Sequence, residues 1–579
     1  MSGRSHLSPF VLTAQQFDGL ARGYGDDEAV GILVDGQAAK RRLLLRVLVD
    51  KIAEGLPGAT RAAGSALKTL AAAEEHHPAA VSWVLAAPQV AAWALHHLGL
   101  LTAPAADRGP VIDELTLLAA AAACRAGVSF QLSVVSADGR LVLPTLGAVT
   151  RLGAGPVRLA GNGSVLSCAG TEAAVQIDVL RGEEAPMWLP LRQLGDGGEV
   201  PAAAIDDLDP YRDAYHRPPT GRLSRTEADE LRQVWRKAWL LLGRECPQHA
   251  SALRLIIRTV VPLVPQGDEV ISGASRQAFG AIAISLTDNA AAMAETLVHE
   301  AQHLKLGAML DLVDMYESGS GPRHYAPWRR DARSVGPLLQ GCYAHLGVLE
   351  FWRRHRLFQT DLSRTLSDFE FCLWQMLVAD GIGAVKQSGE LTELGVRFTA
   401  GMQETVFDSG EDVVQAAIAE IVRDVVLAYR VRWRIVNRTA ARQSASAMGS
   451  RCVLGQPFAA PSEMSSFTSD VPPGGGPRLA DAARHWLVGT LSGNEPDADL
   501  LCGRYEEAVD RYEEAIRLTD DPDAWAGLAV AMGRLADPGA EVVAEHAELA
   551  RAIFWEVNSM DASPQKAMGP RAVIQWMGL

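Results

Sequence analysis

Two histidines and a glutamate carry the first chemical signal in this chain: His299, Glu300 and His303, in Val298-His299-Glu300-Ala301-Gln302-His303. On a helix, residues four apart project from one face, so both imidazoles can reach one metal ion without backbone distortion. Glu295, one turn earlier, can orient a ligand from behind. If the metal is zinc, Glu300 is the general base that deprotonates metal-bound water, which is peptidase chemistry. A metal site needs a third protein ligand. His345, in Gly341-Cys342-Tyr343-Ala344-His345-Leu346, is the favoured one, although periodicity alone reads it as a core histidine bonded to a backbone carbonyl. Glu350 competes with it, and equally serves as a neighbour of Arg353 and Arg354 at helical spacing. Cys342 is better read as packing.

These residues need a helix and something to set it against. Ala290 to Leu297 propagate a helix, with Thr287 or Asp288 as its cap. Just upstream, Phe279–Leu286 is short, β-branched and closed by Thr-Asp-Asn, so it reads as a strand. A strand beside an HExxH helix is a zincin-like arrangement, its edge open to a peptide and Ser272, Ser275 and Phe279-Gly280 along the channel, although Ser272-Gly273-Ala274-Ser275 equally reads as a turn. The expected fold is α+β and mostly α: an HExxH helix beside a short β-sheet, a small β-rich insertion and TPR-like C-terminal helices.

The rest of the chain divides by composition. Residues 1–125 are rich in Ala and Leu and helical, punctuated by Pro78, Pro88 and Pro104, with Trp83 and Trp93 in the core. Residues 126–205 form a small β-rich region, in which Ala137-Asp138-Gly139-Arg140 signals a hairpin between Phe130–Val135 and Leu141–Leu143. Asp206-Asp207-Leu208-Asp209-Pro210 marks a connection, and 206–440 is the HExxH domain, where Ser224 and Glu227 have capping-box spacing. Residues 441–478, rich in Ser, Pro and Gly, read as a linker. The tail, 479–579, is helical. Its Gly503-Arg504-Tyr505-Glu506-Glu507-Ala508, followed by Tyr512, Ala515 and Trp525, resembles a tetratricopeptide repeat and can serve a partner protein.

Composition excludes several function classes. The 579 residues carry 69 acids against 54 bases, a formal charge of −15, which disfavours nucleic acid and anionic membrane as partners. The seven cysteines form no CxxC pair, so a reducing compartment, the cytoplasm, is expected. No apolar leader is read at the N-terminus, and no run of apolar residues is long enough to span a membrane.

The segment Leu297-Val298-His299-Glu300-Ala301-Gln302-His303-Leu304-Lys305-Leu306-Gly307-Ala308, then His324-Tyr325-Ala326-Pro327-Trp328-Arg329, then Leu339–Val348, resembles the actinobacterial HExxH peptide-modification family. The likeness covers at least Ser272–Arg354, with weaker echoes at Asp206–Arg212. Members act on ribosomally synthesised precursor peptides, sometimes fused to radical SAM enzymes. This chain lacks a CxxxCxxC motif and is expected to be a stand-alone form. The resemblance implies an Fe(II)- and 2-oxoglutarate-dependent hydroxylase that uses O2 to oxidise a side-chain β-carbon, of Asp or Asn, in such a peptide. It implies iron on His299, His303 and His345, and it turns Glu300 into a structural neighbour. A third histidine departs from the usual two-His-one-carboxylate triad, which keeps Glu350 open. The distal carboxylate of the keto acid needs a cation, and the candidates are Arg329, which is favoured, Arg330, Arg333 and Lys305, with Tyr325 as a hydrogen-bonding partner. Arg329, Arg330 and Arg333 equally form a surface loop balanced by Asp331. A zinc peptidase trimming the peptide, or a non-catalytic peptide-binding scaffold built on the tail, are the competing expectations.

Overall fold

The computed structural model describes residues 10–55, 60–102, 111–215, 217–266, 270–317, 323–408, 413–461, 465–468, 471–472, 474–491, 495–560 and 568–578. The first nine residues, on which the reading of the N-terminus partly rests, lie outside them, as do Pro104 and Pro473. Of the described residues, 60% are helical and 12% are in strands, the strands in small sheets, so the chain is a mostly-α α+β protein. It divides into two compact units, one of Met1–Leu20 with Tyr24–Val313, the other of Ala21–Gly23 with Asp314–Leu579. The expected 206–440 domain is therefore cut by the unit boundary, with the HExxH segment in the first unit and His345 in the second.

In the first unit, α1 (Ala14–Ala21), α2 (Asp27–Gly55), α3 (Thr60–His76), α4 (Pro78–Leu85), α5 (Pro88–Thr102) and α6 (Val111–Ala126) come first. Proline opens α4 and α5, where its missing N–H costs nothing. Leu118 and Ala119–Ala123 of α6 are all buried; their small side chains let neighbouring helices and strands approach closely. The β-rich region follows: β1 (Phe130–Ser136), β2 (Leu141–Leu143), β3 (Gly147–Val149), β4 (Gly155–Asn162), β5 (Val165–Ala169), β6 (Ala174–Asp178), β7 (Trp188–Pro190), β8 (Arg192–Gln193) and β9 (Ala204–Ile205). Strict alternation of buried and exposed residues along β1 is the signature of a half-buried strand.

The expected hairpin is not one. β1 pairs with β4 in an antiparallel β1-β4-β5-β6 sheet, whereas β2 belongs to a separate β2-β3-β7 sheet. Asp138-Gly139 does turn, with Gly139 at φ +79°, but its carbonyl accepts a bond from Leu152 N at 2.9 Å and its backbone lies against Gly153. Those long-range contacts send the chain into another sheet rather than back along β1.

The site-bearing elements close this unit: α7 (Arg225–Glu245), α8 (Pro247–Ile256), β10 (Thr259–Leu263), β11 (Ser272–Gly273), β12 (Ala281–Ser285) and α9 (Ala290–Met309). The capping box at α7 forms as its spacing predicts: Ser224 Oγ accepts from Glu227 N at 3.2 Å, and Glu227 Oε2 accepts from Ser224 N at 2.7 Å. A five-stranded sheet runs β11-β12-β10-β9-β8, with β9, β10 and β12 parallel and the outer strands antiparallel. Every residue of β10 and β12 is buried, as expected for strands covered on both faces. The strand upstream of the HExxH helix is therefore interior, and the edge is the two-residue β11.

The second unit is nearly all helical: α10 (Val335–His355), α11 (Asp361–Gln387), α12 (Glu393–Phe407), α13 (Ala416–Asn437), α14 (Arg442–Val453), α15 (Arg478–Leu487), α16 (Pro496–Leu501), α17 (Tyr505–Thr519), α18 (Pro522–Arg534), α19 (Ala540–Met560) and α20 (Pro570–Met577). The segment expected as a linker holds α14 and β14 (Ser465–Phe467), which pairs antiparallel with β13 (Arg438–Ala440). Its Ala445, Met448 and Cys452 are buried, which the Ser and Pro content obscures. Nor is the tail a body of its own. Leu479, Trp525, Leu528 and Phe554 share one core with Phe369, Leu377, Val422 and Val426. Within the tail, the absence of a side chain at Gly527 admits the Tyr512 ring, whose hydroxyl donates to Asp497 at 2.6 Å.

Among the described residues, no single helix is long and apolar enough to cross a membrane; one pair, bent by 62° between Leu85 and Pro88, passes on length and composition together. None of the seven cysteines forms a disulfide.

Candidate metal centre

The HExxH helix is α9, and its cap is Asn289 rather than Thr287 or Asp288. Asn289 Oδ1 accepts from the backbone N–H of Ala291 and Ala292 at 2.9 and 3.2 Å, while Thr287 Oγ1 instead receives the N–H of Asn289. One stripe of the helix is only partly covered: Ala292, Glu295, Thr296, His299 and His303. Leu297, Val298, Glu300, Ala301 and Gln302 are buried on the other sides. The imidazoles of His299 and His303 thus share the accessible face, their ring centroids 4.9 Å apart and their planes at 78°.

Glu300 points away from solvent. Its Oε1 accepts the Ser272 hydroxyl at 2.6 Å and lies 4.0 Å from His299 Nε2. Its Oε2 is buried with no hydrogen-bond partner among the described residues. Burial raises the Glu300 carboxyl above the ordinary glutamate range, opposed by the charge of His303 and the Ser272 bond. Ser272 sits in β11, opposite Ile284, so the edge of the sheet reaches the motif glutamate directly. The other channel candidates serve the fold: Ser275 Oγ accepts from Gln277 N, and the buried Phe279 gives its carbonyl to Arg41. Tyr215, which sequence reasoning passed over, is buried near Glu300 and against Gly273; its hydroxyl is kept protonated by burial and by the charges of Asp206, Asp209 and Glu300. It lies outside every motif, so no spacing could have found it.

The remaining expected site residues stand as follows. Lys305 is buried in the first unit, donates to the Tyr24 carbonyl at 2.8 Å and is pulled down to about 7 by desolvation. The others belong to the second unit. Arg329 and Arg333 both pair with Asp331, at 2.8 and 3.0 Å, the balanced arrangement that their spacing also allowed. Tyr325 packs edge-on against Trp433, with ring centroids 5.1 Å apart; its buried hydroxyl has no partner among the described residues, so it does not bond Arg329. His345 lies flat between Trp328 and Trp374, at 4.4 and 4.6 Å, and its Nδ1 bonds the Gly341 carbonyl at 2.9 Å. That is the core-histidine arrangement; it also fixes the tautomer that leaves Nε2 as the lone-pair nitrogen. Glu350 is buried and paired with Arg353, whose guanidinium also donates to the Thr405 carbonyl at 3.0 Å.

Among the described residues, no group of three or more His, Cys, Asp or Glu side chains could hold a metal ion. The pair on α9 nonetheless suits two corners of a coordination sphere. Two imidazoles share an accessible face, and a buried carboxylate beside them keeps one oxygen without a partner among the described residues. No protein-family model and no curated protein matches the chain.

Proposed function

We propose that this protein is an Fe(II)- and 2-oxoglutarate-dependent hydroxylase that modifies a side-chain β-carbon, of Asp or Asn, in a ribosomally synthesised precursor peptide. The observation that carries this reading is the His299–His303 pair on the partly exposed stripe of α9, joined to the sequence likeness around Leu297–Ala308. His299 and His303 would hold the metal, and His345 is the third ligand that the likeness implies. Iron held there would let O2 act as the oxidant, taking two electrons from 2-oxoglutarate, which leaves as succinate and CO2, and two from the peptide C–H bond, with one oxygen atom ending in succinate and one in the new hydroxyl. Glu300, tied to Ser272 and shut away from solvent, holds the metal-bearing turn of α9 against β11. Arg329 is the preferred cation for the distal carboxylate of the keto acid, where it would exchange Asp331 for the ligand. The place of action is the cytoplasm, where free thiols persist.

A second reading has one observation in its favour. A carboxyl raised by burial, with one oxygen unpartnered, is also what a general base needs, so Glu300 suits a zinc peptidase. Anaerobic loading with Fe(II), followed by O2, 2-oxoglutarate and candidate peptide, separates the two. The hydroxylase adds the mass of one oxygen atom per event and forms succinate. Cleavage with zinc in the absence of O2 would overturn it.

A further inference from the structure

Asp206-Asp207-Leu208-Asp209, read in the sequence as an acidic connection, is buried in the first unit. Asp207 is accounted for by Arg222 at 2.5 Å and by the N–H of Leu223 at 3.0 Å. Asp206 is saturated as well: Gln89 donates to Oδ2, and the N–H groups of Leu208 and Asp209 donate to Oδ1. Asp209 differs. Its Oδ1 accepts from Tyr211 N at 2.8 Å, while no described residue donates to Oδ2. Arg212, whose charge bears on Asp209, is committed to the carbonyls of Asp209 and Thr220.

Asp206 and Asp209 line a cavity of about 220 Å³. Arg125 and Arg258 line the same cavity, and neither has a carboxylate partner among the described residues. Arg125 is held by Thr145, through Oγ1 at 2.8 Å and the carbonyl at 2.6 Å. The Arg258 guanidinium lies over the indole of Trp83, 5.4 Å from its centroid. Trp83, expected in the core, is 47% exposed and forms part of the cavity wall. Leu143 and Leu191 supply apolar surface between the charged groups. One cavity thus presents an acceptor oxygen without a donor and two guanidinium groups without an anion. Arg125 and Arg258 are partly buried, and a ligand of matching charge can pair with groups whose charge the surrounding protein does not balance.

We propose that this cavity binds a free α-amino acid, its ammonium group on Asp209 and its carboxylate on Arg258 and Arg125. Planar guanidinium groups suit carboxylate through paired N–H bonds, and an ammonium group suits a lone carboxylate oxygen. The volume lies below the roughly 300–1,000 Å³ of sites for drug-sized ligands, which is the scale of an amino acid. The site is distinct from the histidine pair: it reaches Thr259 at the start of β10, whereas Ser272 meets β12 near its end, at Ile284. Burial together with the charge of Asp206 holds the Asp209 carboxyl above the usual range, so an arriving ammonium group favours its ionised form.

The test uses the full chain, with calorimetric titration of the twenty common amino acids, then the N-acetyl and methyl-ester forms of the tightest binder. At least one free amino acid binds, and capping either end weakens it about tenfold or more, a loss of about 1.4 kcal/mol. Arg258→Gln, at the partly exposed wall, removes the difference between acid and ester; Asp209→Asn removes the difference between free and acetylated amine. Ferrous-ion binding is unchanged in both, which separates this site from the proposed catalytic one. The proposal falls if no amino acid binds at millimolar concentration, if capped forms bind as well as free ones, or if Arg258→Gln leaves the acid–ester difference intact.

Discussion

The histidines of α9 and the histidine of α10 occupy opposite environments. His299 and His303 stand edge to face on a stripe that solvent reaches, with a buried glutamate behind them. His345 is pressed between two indoles, with one nitrogen already spent on the carbonyl four residues back. The first arrangement leaves both rings on a partly exposed face; the second buries the ring in packing, with one nitrogen on a backbone carbonyl. Residue type alone therefore says little about which imidazole does chemistry. What surrounds the ring decides.

The sharpest way to break this contrast is to delete its two sides separately. His299→Ala or His303→Ala abolishes ferrous-ion retention and succinate formation, a loss beyond the 10–100-fold typical of a ligand's supporting partners; retained iron in both variants would overturn the assignment. Glu300→Gln then grades the chemistry: hydroxylation falls by less than about tenfold, whereas removing a general base costs about 10²–10⁴-fold. His345→Ala leaves a void between Trp328 and Trp374 and costs roughly 2–4 kcal/mol in urea unfolding. Its iron content decides whether Nε2 is also a ligand, since a purely packing role leaves metal stoichiometry untouched. Ser272→Ala strips the buried Glu300 Oε1 of its donor, at a cost of about 1–3 kcal/mol.

Lys305 gives the smallest effect and a defined pH window. Its folded value, about 7, lies below that of an unfolded lysine, so between the two the unfolded chain binds the extra proton. Stability therefore rises with pH from about 7 towards 10, by at most about 1.4 kcal/mol per pH unit from this group. Lys305→Met should flatten that rise in unfolding curves taken across the window. An unchanged slope would show that Lys305 is charged in the fold.

Local features were legible in the sequence, and features that depend on distant partners were not. The Ser224–Glu227 capping box, the proline starts of α4 and α5, and the shared face of His299 and His303 follow from spacing of three or four residues. Asp138-Gly139 was legible as a turn, but its place between two sheets depends on Gly153 and Leu152. Three aspartates in a row of four read as a connection, because the donors that compensate their burial, Gln89 and Arg222, lie outside the segment itself. The Ser- and Pro-rich stretch hid α14 because composition averages over the few residues that pack. Trp83 was assigned inward by type, yet it faces a guanidinium at a cavity wall.

Trp328 lies flat against His345 only because two helices carry no side chain where the indole passes. A methyl group at Gly341 would sit 2.6 Å from its ring, and one at Gly381 would sit 2.7 Å away. Each position is thus a remote control on the imidazole: alanine at either would shoulder the indole aside and free one face of the ring, while every group capable of bonding a metal or a proton stayed in the chain. Damage to such a protein can come from adding a single carbon where nothing reactive stands.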